Sequence, residues 1–134
     1  MAELLAPAGN MQKLNTAIHF GADAVYFGGK NFSLRAFSDN FTEQEIISSL
    51  DILHKAGKKG YITVNIYPKD EDFAALKDYL IFLQSAGADG VIISDIGVVE
   101  LCKKYAPALE IHISTQANTL NSHTAKFWQS MGAK

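Results

Sequence analysis

What this chain lacks narrows it first. Among its 134 residues there is one cysteine, Cys102. An intrachain disulfide is therefore out of reach, and a lone thiol fits a reducing, cytoplasmic compartment. One cysteine also cannot hold a cysteine-ligated metal cluster, so no metal site or cofactor is expected within these residues. Neither sign of charge dominates. Twelve Lys and Arg against 14 Asp and Glu give a formal net charge of −2 and a pI near 6.0, and nothing in that balance points to a basic nucleic-acid surface. No apolar run approaches the roughly 18 residues of a membrane helix. The opening stretch from Met1 to Gly9 has no basic leader, so neither a membrane span nor a signal peptide is expected. Two protease signatures are missing as well: a Gly-x-Ser-x-Gly elbow and a His-Glu-x-x-His zinc helix.

What is present alternates. At 48% hydrophobic the chain can bury a core. Short β-prone runs at Glu3–Ala6, Ala22–Gly28, Tyr61–Ile66, Val91–Asp95 and from Glu110 onward take turns with amphipathic stretches. Pro7 is expected to stop pairing of the first strand. Asn10, Thr42, Asp70 or Asp72, and Asn121 or Ser122 are the expected helix caps. Thr42 with Glu45 reads as a capping box. The joints rhyme: Gly21-Ala22-Asp23, Gly57-Lys58-Lys59 and Gly87-Ala88-Asp89 each close a helix with glycine and enter a strand. Their spacing of about 30 to 36 residues is that of a βα unit, which implies a parallel sheet. Gly132-Ala133-Lys134 opens the same phrase again. The expected fold is α/β, a (β/α)8 TIM-barrel-like architecture of which residues 1–134 form about the first five units, one partial barrel domain of a longer chain. A five-stranded doubly wound sheet is the alternative.

The strand at Glu110 separates these two folds. Alternation puts Ile111, Ile113 and Thr115 on one face and Glu110, His112, Ser114 and Gln116 on the other. A sheet sandwiched between helices has no place for such a polar face, whereas the inner face of a barrel can turn polar near its mouth. An edge strand with one wet face is the plainer reading. Polar side chains at the C-terminal ends of the strands are then the candidate site: Tyr26, Asn65, Asp95, His112, Ser114 and Gln116. Asp95 and His112 lie on successive strands. A contact between them would fix the imidazole tautomer and make an acid/base pair, or equally a buried structural bond. Asn65 and Gln116 suit substrate binding better than chemistry. Arg35 lies in an aromatic-rich loop, either a packed lid or a substrate wall. Cys102 reads as core filler, and His19, His54 and His123 as surface or interhelical residues. Gly28-Gly29-Lys30 is a weak phosphate-binding signal. An incomplete barrel would leave open sheet edges for a homo-oligomer or a heteromeric partner.

Several phrases resemble one family: Glu3-Leu-Leu-Ala-Pro-Ala-Gly-Asn10, Gly21-Ala-Asp-Ala-Val-Tyr26, Phe32-Ser-Leu-Arg35, Val64-Asn65, Asp95-Ile-Gly97, and His112-Ile-Ser-Thr-Gln116 with Asn118 and Asn121. They are similar to the N-terminal part of the collagenase-like peptidases, peptidase family thirty-two of the unassigned catalytic type. The resemblance implies a barrel-type catalytic domain in a longer protein. It also implies one of two chemistries: collagenase-like protein hydrolysis, or the oxygen-independent hydroxylation of tRNA, ribosomal RNA or ubiquinone that relatives carry out. RNA or peptide would be the substrate. An iron–sulfur cluster would sit, in the full-length protein, on cysteines outside the matched region. On this basis His112 and Asp95 are the catalytic candidates, with Asn65, Ser114, Gln116, Asn118, Arg35 and Tyr26 binding substrate. A non-catalytic role as binding or assembly partner is the third reading.

Overall fold

In a computed structural model, described for residues 2–34 and 40–134, five parallel strands alternate with five helices. The strands are β1 (Leu5–Pro7), β2 (Ala24–Gly28), β3 (Lys59–Val64), β4 (Gly90–Ile93) and β5 (Glu110–Ile113). The helices are α1 (Met11–His19), α2 (Glu43–Lys55), α3 (Phe73–Ser85), α4 (Ile96–Tyr105) and α5 (Ser122–Ser130). Arg35 lies outside the described residues.

The strand order is β1-β2-β3-β4-β5, with each strand beside its predecessor. This order overturns the doubly wound alternative. That fold reverses direction once in the sheet, so that its crossovers can cover both faces. Here every crossover advances the same way, and a common right-handedness then places all the helices on one face. The buried side chains follow suit. Val25, Phe27, Ile62, Val64, Val91 and Ile93 point from the strands into a layer that includes Leu14, Leu50, Leu80 and Val98 from the helices.

The other face curls inward. Strands two apart in a sheet are separated by about 9.6 Å, too far for short side chains to meet. Yet the Tyr61 hydroxyl on β3 donates to both carboxylate oxygens of Glu3, just before β1, at 3.0 and 3.1 Å. The Tyr61 ring lies 4.4 Å, centroid to centroid, from that of His112 on β5. Contacts among side chains of alternate strands are how a barrel interior fills, layer upon layer.

Local rules explain the boundaries. Thr42 and Glu45 exchange bonds at 3.1 Å, the expected capping box. Those bonds hold the Glu45 carboxyl below its ordinary pKa. Asn10 and Asn121 cap α1 and α5. Three expectations need correction. Pro7 belongs to β1 and pairs with Tyr26, because β1 is an edge and a missing N–H on its outer side costs nothing; Ala8 continues the ladder to the Tyr26 carbonyl at 3.0 Å. Neither Asp70 nor Asp72 caps α3 by its side chain; Asp72 instead accepts from the Lys69 amide at 2.7 Å. Strand β4 ends at Ile93, before Asp95.

The rhyming joints gain a reason. At Gly21 and Gly87, φ is +88° and +91°, a left-handed turn that glycine makes without steric cost. The aspartate two residues on reaches sideways to the strand before it. Asp23 accepts from the Leu4 amide at 2.8 Å, and Asp89 accepts from the Gly60 amide at 2.8 Å and from His54 at 2.9 Å. Each joint thus stitches a new strand to the start of its neighbour. At the far edge, Ala133 already bridges Ile111 in parallel, and the Lys134 amide donates to the Ile111 carbonyl at 2.9 Å.

Candidate functional site

The C-terminal ends of the strands open into a cavity of about 380 Å³, lined by Tyr26, Ser33, Thr63, Asn65, Ser114 and Gln116 among others. The paired carboxamides of its polar wall come from the ends of β3 and β5. Asn65 follows β3 and is only 8% exposed. Its Oδ1 accepts from the Leu34 amide at 3.1 Å, and its Nδ2 donates to Oε1 of Gln116 at 3.4 Å. Ser114, just past β5, caps a single 3-10 turn (Thr115–Ala117) and donates its hydroxyl to the same Gln116 Oε1. Ser94, beyond β4, donates to the Asn65 carbonyl at 3.4 Å. Deeper in, Thr63 and Ser33 share a hydroxyl contact at 3.2 Å. At the rim the Tyr67 hydroxyl donates to the Gln116 carbonyl at 3.2 Å, while Tyr67 as a whole stays 63% exposed.

The structure therefore gathers Tyr26, Asn65, Ser114 and Gln116 around one cavity, but it does not unite the other two candidates. His112 sits one layer below Ser114, on the same face of β5. Its Nε2 comes within 3.3 Å of Glu110 without hydrogen-bond alignment and is otherwise buried and unpartnered. Asp95 has the opposite parity from Ile92, the register partner of His112. It is the N-cap of α4, and its carboxylate accepts from the Val98 amide at 3.2 Å. The Asp95–His112 contact that the sequence left possible does not form. The two lie on neighbouring strands, but a difference in parity sends the two side chains to different faces.

Asn118 also stands apart. It holds the left-handed position after the turn, at φ 57° and ψ 47°, and is exposed. It lines a separate cleft of about 900 Å³ between β5 and α5, together with Leu120 and Trp128. The phosphate reading of Gly28-Gly29-Lys30 loses one of its backbone donors. Gly29 forms a bridge with Phe41, and the Lys30 amide donates to the Phe41 carbonyl at 3.2 Å, so that amide is not available to an anion.

Tyr61, Thr63 and Tyr67 were missed as site components. A signal was there, since all three share the parity of Asn65 along and beyond β3. Burial first, and the Glu3 carboxylate second, push the Tyr61 phenol well above its ordinary pKa. It is a structural donor at neutral pH. Cys102 is the core filler expected: fully buried, its Sγ 3.7 Å from the Ala106 carbonyl, its thiol pushed up to about 11 by burial. No cluster of metal-ligating side chains occurs among the described residues. With Cys102 the one cysteine, these residues do not fit a cysteine-held cluster. Among the described residues no helix is long and apolar enough to cross a membrane.

Comparison with known proteins gives a consistent picture. The model for peptidase family U32 matches residues 9–134. The tRNA hydroxylation protein P1 of Bacillus subtilis is 44% identical over 130 residues, covering 97% of this chain and 31% of that protein. A collagenase of Porphyromonas gingivalis is 35% identical over 127 residues, covering 94% of this chain and 30% of that protein. The chain thus spans about 30% of the length of these curated relatives. A solved U32 peptidase superposes with a TM-score of 0.81 over 99% of this chain and 56% of its own, at 17% identity, a likeness of fold.

Proposed function

Because the chain belongs to peptidase family U32, we propose that it forms the N-terminal barrel part of an enzyme that hydroxylates an RNA base without dioxygen. The observation that carries the reading is the 44% identity with a tRNA hydroxylation protein along nearly the whole chain. The chemistry of the mouth agrees with it. A carboxamide pair and hydroxyls surround a cavity of about 380 Å³, a setting suited to hold and orient a flat polar ring rather than to attack an amide bond. The contribution of these residues is binding and orientation. His112 lies one layer below, with Glu110 and Tyr61 a layer deeper, and His112 is the residue there best able to move a proton.

A second reading, protein hydrolysis, has the collagenase relative in its favour. Neither Ser114 nor Cys102 is set up as its nucleophile. The Ser114 hydroxyl is engaged with Gln116, a carboxamide that cannot serve as a general base, and Cys102 is a buried neutral thiol.

The two readings part in one experiment. A strain lacking the gene is complemented with the wild-type reading frame, Asn65→Ala or Gln116→Ala, and its tRNA nucleosides are measured by mass spectrometry. The proposal expects a hydroxylated nucleoside that disappears in the deletion, returns with the wild type and falls at least tenfold with either variant. Unchanged tRNA in the deletion, with loss of hydrolysis of a collagen peptide, would favour the peptidase.

A further inference from the structure

Two costly features meet just outside the mouth. Phe32 holds a backbone φ of +61°, a left-handed conformation that a bulky side chain rarely adopts. Its ring lies 5.3 Å, centroid to centroid, from that of Tyr79 on α3. Tyr79 is only 6% exposed, and its hydroxyl is buried without a hydrogen-bond partner among the described residues. That hydroxyl stands against Gly29 so closely that a Cβ there would collide with it. Strain in the backbone and an orphaned hydroxyl both cost stability, and they persist where the surrounding structure depends on the arrangement.

Between Gly29 and Leu34 the chain passes from the helix layer to the inner face of the sheet. Gly29 rests on Tyr79 and Ile46. Its position is fixed by Phe41, whose amide donates to the Gly28 carbonyl at 3.0 Å and whose carbonyl accepts from the Lys30 amide at 3.2 Å. Four residues later Ser33 is buried on the inner face, its hydroxyl 3.2 Å from that of Thr63. The Leu34 amide then donates to Oδ1 of Asn65 at 3.1 Å. Phe32 is where the direction changes. Its own ring goes outward to Tyr79, and its two successors go inward to Thr63 and Asn65. A left-handed residue makes such a reversal in one step.

From this arrangement we infer that Phe32 is a positioning residue for the mouth: its left-handed turn, clamped by the Tyr79 ring, presents the Leu34 amide that fixes the Asn65 carboxamide. Asn65 lines the cavity and Phe32 does not, so Phe32 acts through its neighbours. The inference rests on the reading of Asn65 as a residue of the functional mouth. Its own content is that the mouth needs the backbone conformation at residue 32. The ring contact serves to hold that conformation against the preference of an ordinary side chain.

Three substitutions in the protein of the whole reading frame separate ring from backbone. Phe32→Gly, Phe32→Asn and Phe32→Ala all remove the ring contact. Glycine adopts the left-handed turn freely and asparagine tolerates it, whereas alanine resists it. Two quantities are read: hydrogen exchange of the Leu34 amide, and the level of the modified tRNA nucleoside in the complemented strain. Phe32→Ala is expected to speed the exchange and lower the nucleoside by about fivefold or more, the factor by which a left-handed alanine trails glycine. Phe32→Gly and Phe32→Asn should stay within about twofold of the wild type in both, although all three variants melt at a lower temperature. A fall common to all three, in step with their melting temperatures, would reduce Phe32 to packing and overturn the inference. An alanine variant that matches the wild type in Leu34 exchange would overturn it too. Failure of the RNA reading looks different. Leu34 exchange that follows residue 32 as expected, alongside tRNA that deletion of the gene leaves unchanged, would sink the RNA reading alone. A nucleoside that vanishes with the gene yet ignores Phe32→Ala would sink this inference alone.

Discussion

The two faces of the sheet were built by different rules. The outer face meets helices, and its side chains are aliphatic or aromatic, fully buried and held by shape alone: Val25, Ile62, Val91 and Ile93 against Leu14, Leu50, Leu80 and Val98. The inner face meets its own neighbours across the curl. Its side chains are polar or amphipathic, and their contacts skip a strand: Glu3 to Tyr61, Tyr61 to His112, Asn65 to Gln116. The first face is non-directional and tolerant, in that any apolar group of the right volume will serve. The second is directional, since each donor dictates the next acceptor. Stability is concentrated on one side, and selectivity on the other.

The contrast can be pressed hardest on the outer face. Leu80→Ala, at a fully buried position, is expected to lower unfolding stability by about 2–5 kcal/mol, read as a shift in the urea midpoint. A smaller loss would mean that the helix layer is loosely packed and that the two faces differ less than described.

Cys102 supplies the next largest effect, and its sign follows from burial. Its folded pKa is raised from 9.0 to about 11, so folding favours the neutral thiol. The contribution is complete below pH 9 and is lost as pH rises through 11, by about 2–3 kcal/mol at most. Cys102→Ala should flatten the wild type's stability loss over that interval. Native Cys102 should also resist iodoacetamide at pH 8 while the unfolded chain reacts. Rapid native labelling would place the thiol outside the core.

Tyr61→Phe sharpens the comparison from the inner side. It keeps the ring against His112 and removes only the bond to Glu3, so about 0.5–1.5 kcal/mol should go. The smallest expected effect is a coupling near zero. In a double-mutant cycle on stability, Asp95→Ala and His112→Ala should add within about 0.5 kcal/mol, because the first removes a helix cap and the second a side chain below the mouth. A coupling above 1 kcal/mol would restore the acid/base pair that the sequence invited.

How far the sequence could be read depended on which interactions are periodic. The alternating strands and helices, the Thr42 capping box and the parallel order were legible, because they follow from hydrophobic period, cap chemistry and repeat length. Asn65, Ser114 and Gln116 could be placed together from parity alone once the sheet was taken to curl. Asp95 could not, because whether a strand ends one residue earlier or later depends on tertiary context; here β4 stops at Ile93 and frees Asp95 to cap α4. Pro7 misled for a related reason, since a proline on an edge strand looks the same in sequence as one that breaks a strand. The lateral bonds of Asp23 and Asp89 lay in plain view as a repeated phrase, but their partners, Leu4 and Gly60, are 19 and 29 residues away. No local rule spans such distances.

Everything at the mouth depends on Asn65 meeting Gln116 across the curled inner face, 51 residues apart in sequence. The most direct measurement is a double-mutant cycle on the stability of the whole protein with Asn65→Ala, Gln116→Ala and the pair. A coupling energy of about 1 kcal/mol is expected for a hydrogen bond held in this way. Losses that simply add would mean that the two carboxamides never touch, and the site as drawn would not exist.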